Sequence, residues 1–156
     1  MSKSLSIIIP MYNAENYIER CIESILNQGL NPADFEVLIM NDGSTDSSPE
    51  RVQNFTDSGA PVFLHSHSNV GPDASRNRGF TLATGKYIYL MDADDYLAYN
   101  CLNTILGRAL EDDLQIVAFQ AVFTDKDAWF EAEKNPADIA KPAFITGKEY
   151  IKHNRN

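Results

Sequence analysis

Acidic side chains stand at two places in this 156-residue chain where a hydrophobic run stops. Asp92-Ala93-Asp94-Asp95 follows Lys86-Tyr87-Ile88-Tyr89-Leu90-Met91, and Asp42 follows Phe35-Glu36-Val37-Leu38-Ile39-Met40-Asn41. Two carboxylates one residue apart can share a hard divalent cation, which prefers oxygen ligands. Such an ion neutralises a diphosphate and makes it a better leaving group. The bare Asp-x-Asp pattern carries little, because 13 Asp among 156 residues give about one by chance. Asp125-Lys126-Asp127 is a second instance and reads as solvated surface. Position separates them: Asp92 and Asp94 end a strand-like run, where a metal role competes with helix N-capping by Asp94 or Asp95.

Other candidates are weaker one by one. Asp42, beside Gly43, is either an Asx-type turn residue or an acceptor for a ligand N–H or O–H. Tyr12, just after Pro10, can stack on a flat ring or pack in its loop. Arg76 and Arg78 can each meet a phosphate or form a salt bridge in an acidic chain. His65 and His67 lack a Cys/His partner set and read as structural or solvent-facing. No Gly-x-x-x-x-Gly-Lys-Ser/Thr, Gly-x-Gly-x-x-Gly, Gly-x-Ser-x-Gly or Cys-x-x-Cys occurs.

The elements that must position these residues alternate. Leu5 to Ile9 is a β-branched run, expected to be a buried strand stopped by Pro10. Asn13 is expected to cap a helix with Ile18, Cys21, Ile22, Ile25 and Leu26 inward and Gly29 at its end. Phe35 to Met40 is a second strand. Ser48-Pro49 opens a helix through a cap and an N1 proline, with Val52 and Phe55 inward. Val62 to His65 is a third strand, 73–83 a helix and Lys86 to Met91 a fourth strand. Leu102, Ile105, Leu106 and Ala109 form the apolar face of another helix, and Leu114 to Phe123 is a fifth extended run. This alternation predicts an α/β fold, a three-layer α/β/α sandwich with a mainly parallel sheet. In such sheets ligands bind beyond the carboxyl ends of the strands. Those ends are 10–13, 41–46 and 92–95.

Composition narrows the function. The chain is 44% hydrophobic, with 22 acidic against 13 basic residues and a formal charge of −9. That balance opposes phosphate backbones and anionic lipid, so no nucleic-acid partner is expected. No apolar run approaches the about 18–20 residues that cross a bilayer. Cys21 and Cys101 fall in apolar helical patterns and read as reduced core thiols of a cytoplasmic protein.

The organisation expected is an α/β domain over 1–123 and a different tail over 124–156. The tail is polar through Pro142. Thr146-Gly147-Lys148-Glu149 then fits a capping box, with Tyr150-Ile151 starting an apolar face. A helix that begins so close to Asn156 reads as a chain cut short of its natural domain, or as a short terminal helix.

Five segments, in order, resemble glycosyltransferase family 2 over about residues 4 to 110. They are Ser6-Ile7-Ile8-Ile9-Pro10-Met11-Tyr12-Asn13, Ile22-Glu23-Ser24-Ile25-Leu26-Asn27-Gln28 and Glu36-Val37-Leu38-Ile39-Met40-Asn41-Asp42-Gly43-Ser44-Thr45-Asp46. Asn69-Val70-Gly71 through Ser75-Arg76-Asn77-Arg78-Gly79 and Gly85 through Asp95 complete the set. Ser75 stands where the family usually has Ala.

The resemblance implies the glycosyltransferase-A fold, of the nucleotide-diphospho-sugar transferase type, with a donor-binding half joined to an acceptor-binding half. It implies inverting transfer from a nucleotide-diphosphate donor, usually a UDP-sugar, to a glycan or lipid-linked acceptor, with Mn²⁺ or Mg²⁺. By that likeness Pro10 and Tyr12 flank the base and Asp42 accepts a base N–H. Gly71 and Arg76 close over the nucleotide, Asp92 holds ribose or donor sugar, and Asp94 binds the metal. It also implies polysaccharide synthesis at the inner membrane face, with peripheral membrane association through a region beyond these residues. Inversion needs a base on the acceptor side. Asp125, Asp127, Glu131 and Glu133 are available there without matching a motif, and His153 is the candidate for a further metal ligand. Two alternatives stand beside transfer. One is a nucleotide-sugar-binding module without the catalytic base. The other is an aspartyl phosphotransferase, whose pattern Asp95-Tyr96 does not fit.

Overall fold

The computed structural model describes residues 3–118, and the chain divides into two compact units, Met1–Tyr96 and Leu97–Asn156. The first unit runs β1 (Leu5–Met11), α1 (Ile18–Leu26), β2 (Phe35–Asp42), α2 (Ser48–Asp57), β3 (Val62–His67), α3 (Pro72–Leu82) and β4 (Tyr87–Leu90). Its four strands are parallel and lie in the order β3-β2-β1-β4.

That order follows from the sequence of crossovers. β1, β2 and β3 step outward in one direction, so right-handed crossovers place α1 and α2 on one face. The chain then returns past β1 to lay down β4, which places α3 on the other face. The reversal leaves a crevice between the carboxyl ends of β1 and β4, where ligands of such sheets bind.

The two central strands are covered on both faces. Ile7, Ile8, Ile9, Val37 and Ile39 are wholly buried, which is why β1 and β2 are continuous apolar runs rather than alternating ones. Each such side chain contributes about 1.5–3 kcal/mol by leaving water. On the α3 face Ile8, Leu38 and Met40 form one cluster with Ala83 against it. Gly79 of α3 lies directly on that cluster, since a Cβ there would stand 2.4 Å from Ile8 Cγ2.

Several boundaries differ from the sequence expectation, each for a local reason. β1 continues through Pro10 to Met11. Ile8 O accepts the Met91 N–H on the β4 side, and Pro10, two residues on, faces that same side beyond the last β4 partner. Its missing N–H therefore removes no ladder bond. Asn13 does not cap α1, which begins after Tyr17. Its backbone is left-handed, φ 50, and its side-chain oxygen instead accepts the Thr45 N–H at 2.8 Å. The residue before α2 is Ser47, and Ser48 sits inside the first turn with its hydroxyl on Asp46.

The second unit is described over 97–118. It holds α4 (Cys101–Glu111), with Leu102, Leu106 and Ala109 buried. The expected fifth strand does not form over 114–118, and its remainder, like the expected tail over 124–156, lies outside the described residues.

Candidate functional site

Parallel register brings the strand tips to one edge. Met11 pairs with Asn41, and Asp42 pairs with His67. Beyond β4 the chain turns through Asp92-Ala93-Asp94-Asp95, closed by an Asp95 N–H to Asp92 O bond of 3.2 Å. Between these tips lies a cleft of about 480 Å³, the size of a small-molecule site. Pro10, Tyr12, Asp42, Arg76, Asp92 and Asp94 all line it. Gly71 does not, but its neighbour Pro72 does.

The loop after β1 and the loop after β2 are stitched together. Asn13 N–H donates to Ser44 Oγ, Ala14 N–H to Ser48 Oγ and Glu15 N–H to Asp46 Oδ2, at 3.0, 2.8 and 3.1 Å. Asp46 also accepts the Ser48 amide and hydroxyl. Burial pushes the Asp46 carboxyl up, but these Ser48 and Glu15 donors outweigh it and hold it below the ordinary value. The stitching fixes the loop that carries Tyr12, whose side chain stays half exposed in the cleft.

Asp42 is buried and already engaged. Its Oδ1 accepts the Val70 N–H at 2.7 Å and its Oδ2 the Gly71 N–H at 2.9 Å. Gly71 has φ 88, a left-handed conformation that glycine adopts without strain. These bonds pull the loop after β3 toward the cleft and aim α3 so that Arg76, one turn on, reaches the β4 tip. Arg76 donates to Asp92 Oδ1 at 2.6 Å and to Asp73 Oδ1 at 2.9 Å. The Asp92 hydrogen bond, against the opposing effect of burial, pushes the guanidinium's pKa up.

The β4 tip carries more negative charge than Arg76 offsets. Burial, then the charges of Asp94 and Asp92, push the Asp95 carboxyl up. Beneath the tip, Cys21 is buried with its S–H toward Asp92 O at 3.7 Å. Burial first, and then the Asp95 and Asp94 charges, push its thiol up to about 12. Asp92 and Asp94 are exposed oxygen donors in the cleft, which is the donor chemistry Mn²⁺ and Mg²⁺ prefer. Among the described residues no three His, Cys, Asp or Glu side chains converge, so a cation held here completes its shell with ligand and water oxygens. The residues fit such an ion on those terms.

Not every sequence candidate reaches the site. Arg78 is exposed and outside the cleft lining, and His65 lies partly buried within β3. His67, expected to be structural or solvent-facing, is not solvent-facing: its Nδ1 stands 3.3 Å from Asp42 Oδ1 with the side chain only 9% exposed. Tyr17 also lines the cleft. Its place before α1 gave no signal, because an apolar-face pattern marks inward positions and Tyr17 is not one of them.

A family model described as Glycosyl transferase family 2 matches residues 6–155. With that match over nearly the whole chain, and strand-tip carboxylates around a switch-point cleft, the chain belongs to glycosyltransferase family 2. It is 34% identical over 152 residues to the uncharacterized glycosyltransferase YibD of Escherichia coli K12, covering 97% of this chain and 44% of YibD. The crystal structure of S. aureus TarS 1-349 in complex with UDP-GlcNAc superposes with a TM-score of 0.67 at 25% identity, over 78% of this chain and 37% of that one. The mannosyltransferase PcManGT from Pyrobaculum calidifontis, in complex with GDP-Man and Mn²⁺, shares the fold at a TM-score of 0.59 and 23% identity, over 64% of this chain and 30% of that one. The chain thus spans less than half the length of each of these proteins. Among the described residues no helix is long and apolar enough to cross a membrane.

Proposed function

We propose that this chain is the donor-binding part of a metal-dependent, inverting glycosyltransferase. It takes a sugar from a nucleotide-diphosphate donor, first a UDP-sugar, and passes it to a glycan or lipid-linked acceptor. One observation carries this reading: a single cleft at the switch point of the sheet gathers an aromatic ring, a buried carboxylate, a guanidinium and two exposed carboxylates. The likeness to TarS, solved with UDP-GlcNAc, supports a uridine donor.

In this reading the base stacks on Tyr12 with Pro10 beside it. Asp42 accepts a base N–H, and the Gly71 amide keeps that carboxylate in place. Arg76 stays paired with Asp92 and turns its remaining N–H donors to the diphosphate. Asp92 holds a ribose or donor-sugar hydroxyl. Asp94, with Asp92 beside it, would hold Mn²⁺ or Mg²⁺. When bound, the cation supplies charge neutralisation at the leaving diphosphate. Transfer also needs a base that takes the acceptor's hydroxyl proton. Its sequence candidates Asp125, Asp127, Glu131 and Glu133, and the metal candidate His153, lie outside the described residues. The division into a donor-binding domain over 1–123 and an acceptor-side tail over 124–156 belongs to this same reading. So does cytoplasmic action at the inner face of the membrane, in polysaccharide synthesis.

Calorimetry on the chain and on Asp94→Asn tests the site. UDP affinity is expected to rise with Mn²⁺ in the first and not in the second; equal Mn²⁺ dependence in both contradicts the assignment. Incubation with a UDP-sugar and an oligosaccharide acceptor then separates transfer from binding alone.

A further inference from the structure

His67 contributes nothing to the cleft lining, yet its placement is specific. It ends β3 directly opposite Asp42 in the parallel register. Its Nδ1 lies 2.9 Å from Ser68 O, the acceptor of its hydrogen bond, and 3.3 Å from Asp42 Oδ1, so Nδ1 carries the hydrogen and stands against the carboxylate. The side chains of His67 and Asp42 are 9% and 4% exposed. His67 Nε2 is buried with no hydrogen-bond partner. Burying an unpartnered ring nitrogen is unfavourable, so the polar ring is not explained by packing alone. What the imidazole adds at Asp42 is a polar ring edge held against Oδ1 by its hydrogen bond to Ser68 O.

That contact adds to a set. A carboxylate offers about four acceptor positions. The amides of Val70 and Gly71 take two on Asp42, and His67 Nδ1 stands 3.3 Å from Oδ1, at a third. The position left over belongs to a carboxylate that lines the cleft. We propose that His67 is a positioning residue for the nucleotide base, fixing the rotation of the Asp42 carboxylate so that its free acceptor position faces the ligand. This rests on the reading that Asp42 accepts a base N–H.

Two amides separate the roles of the ring nitrogens. The side-chain nitrogen of Asn reaches about where Nδ1 stands, and that of Gln about where Nε2 stands. Calorimetry with UDP and Mn²⁺ is done on the native chain, Asp42→Asn, His67→Leu, His67→Gln and His67→Asn. The Leu and Gln variants are expected to bind about tenfold more weakly, the loss of one polar contact to a charged group, and Asn to bind within about threefold of the native chain. N3-methyl-UDP, which lacks the base N–H, is expected to bind the native chain and the Leu and Gln variants equally. The Gln variant keeps the test open if Leu does not fold. Native affinity in the Leu or Gln variant, equal losses in the Asn and Gln variants, or equal losses for UDP and N3-methyl-UDP would overturn the role of His67. Native affinity in Asp42→Asn would instead overturn the reading of Asp42 itself, and this inference with it.

Discussion

Arg76 and Asp92 share a 2.6 Å hydrogen bond, with 26% of the arginine side chain and 56% of the aspartate side chain exposed. A pair so exposed adds little to stability, so its use lies in holding two charges at fixed places in the cleft. Arg76→Ala is therefore expected to leave the melting temperature within a few degrees while weakening UDP about tenfold. Uridine, which has no phosphate, should bind the variant as it binds the native chain; parallel losses for both ligands would contradict the phosphate role. Cys21 is the converse, a reactive residue type made inert. With its thiol at about 12, the native chain at pH 8 is expected to react with iodoacetamide at Cys21 far more slowly than the urea-unfolded chain, read by peptide mass spectrometry. At this scale the cleft carboxylates were legible, because acids at strand ends stand out against apolar runs. His67 was not: its partner is a carboxylate on another strand, and only the β2–β3 register brings the two together.

α3 is the element that turns a sheet edge into a site, because it carries Arg76 and its entry loop is bonded to Asp42. Its depth is set by Gly79, where any side chain would collide with Ile8. Gly79→Ala is expected to destabilise the fold by about 1–3 kcal/mol as the helix lifts from the sheet. It should also weaken UDP, since the lift carries Arg76 away from Asp92. Urea unfolding and calorimetry check the two effects, and native values in both would contradict this packing. In the first unit element existence was readable from period and β-branched runs, whereas boundaries were not. Pro10 and Asn13 show why. Each obeys a local rule, strand stop and helix cap, that tertiary bonds override: β4 ends before Pro10, and Thr45 claims the Asn13 oxygen.

The sheet has a second polar edge, opposite the cleft, and that edge is structural. Glu36 is buried there, accepting from the Ser6 hydroxyl at 2.6 Å and from the Thr84 amide and hydroxyl at 2.8 and 2.9 Å. Gly85 lies close enough that a Cβ would meet the Leu5 and Ser6 backbone at 2.5 Å. Burial pushes the Glu36 carboxyl up, but the Ser6 and Thr84 donors and Lys3 outweigh it and hold it below 4.5. A carboxyl lowered on folding stabilises fully above its unfolded value, and that contribution fades as pH falls through the folded value. Glu36→Gln is expected to cost about 1–3 kcal/mol at pH 7 and to flatten the loss of stability below pH 4.5, measured by urea unfolding across that range. The parallel α/β class was legible from the alternation of runs. The strand order was not, since nothing local in 83–90 says that β4 lies beside β1. That order makes the crevice, and the crevice makes the carboxylates a site.

The most direct measurement is a crystal structure of the chain with UDP and Mn²⁺. The predicted result has the uracil against Tyr12 with its N–H on Asp42, the diphosphate beside Arg76 and the cation on Asp94. A nucleotide bound elsewhere, or in this cleft with its base away from Asp42 and its phosphates away from Arg76 and Asp94, would contradict it.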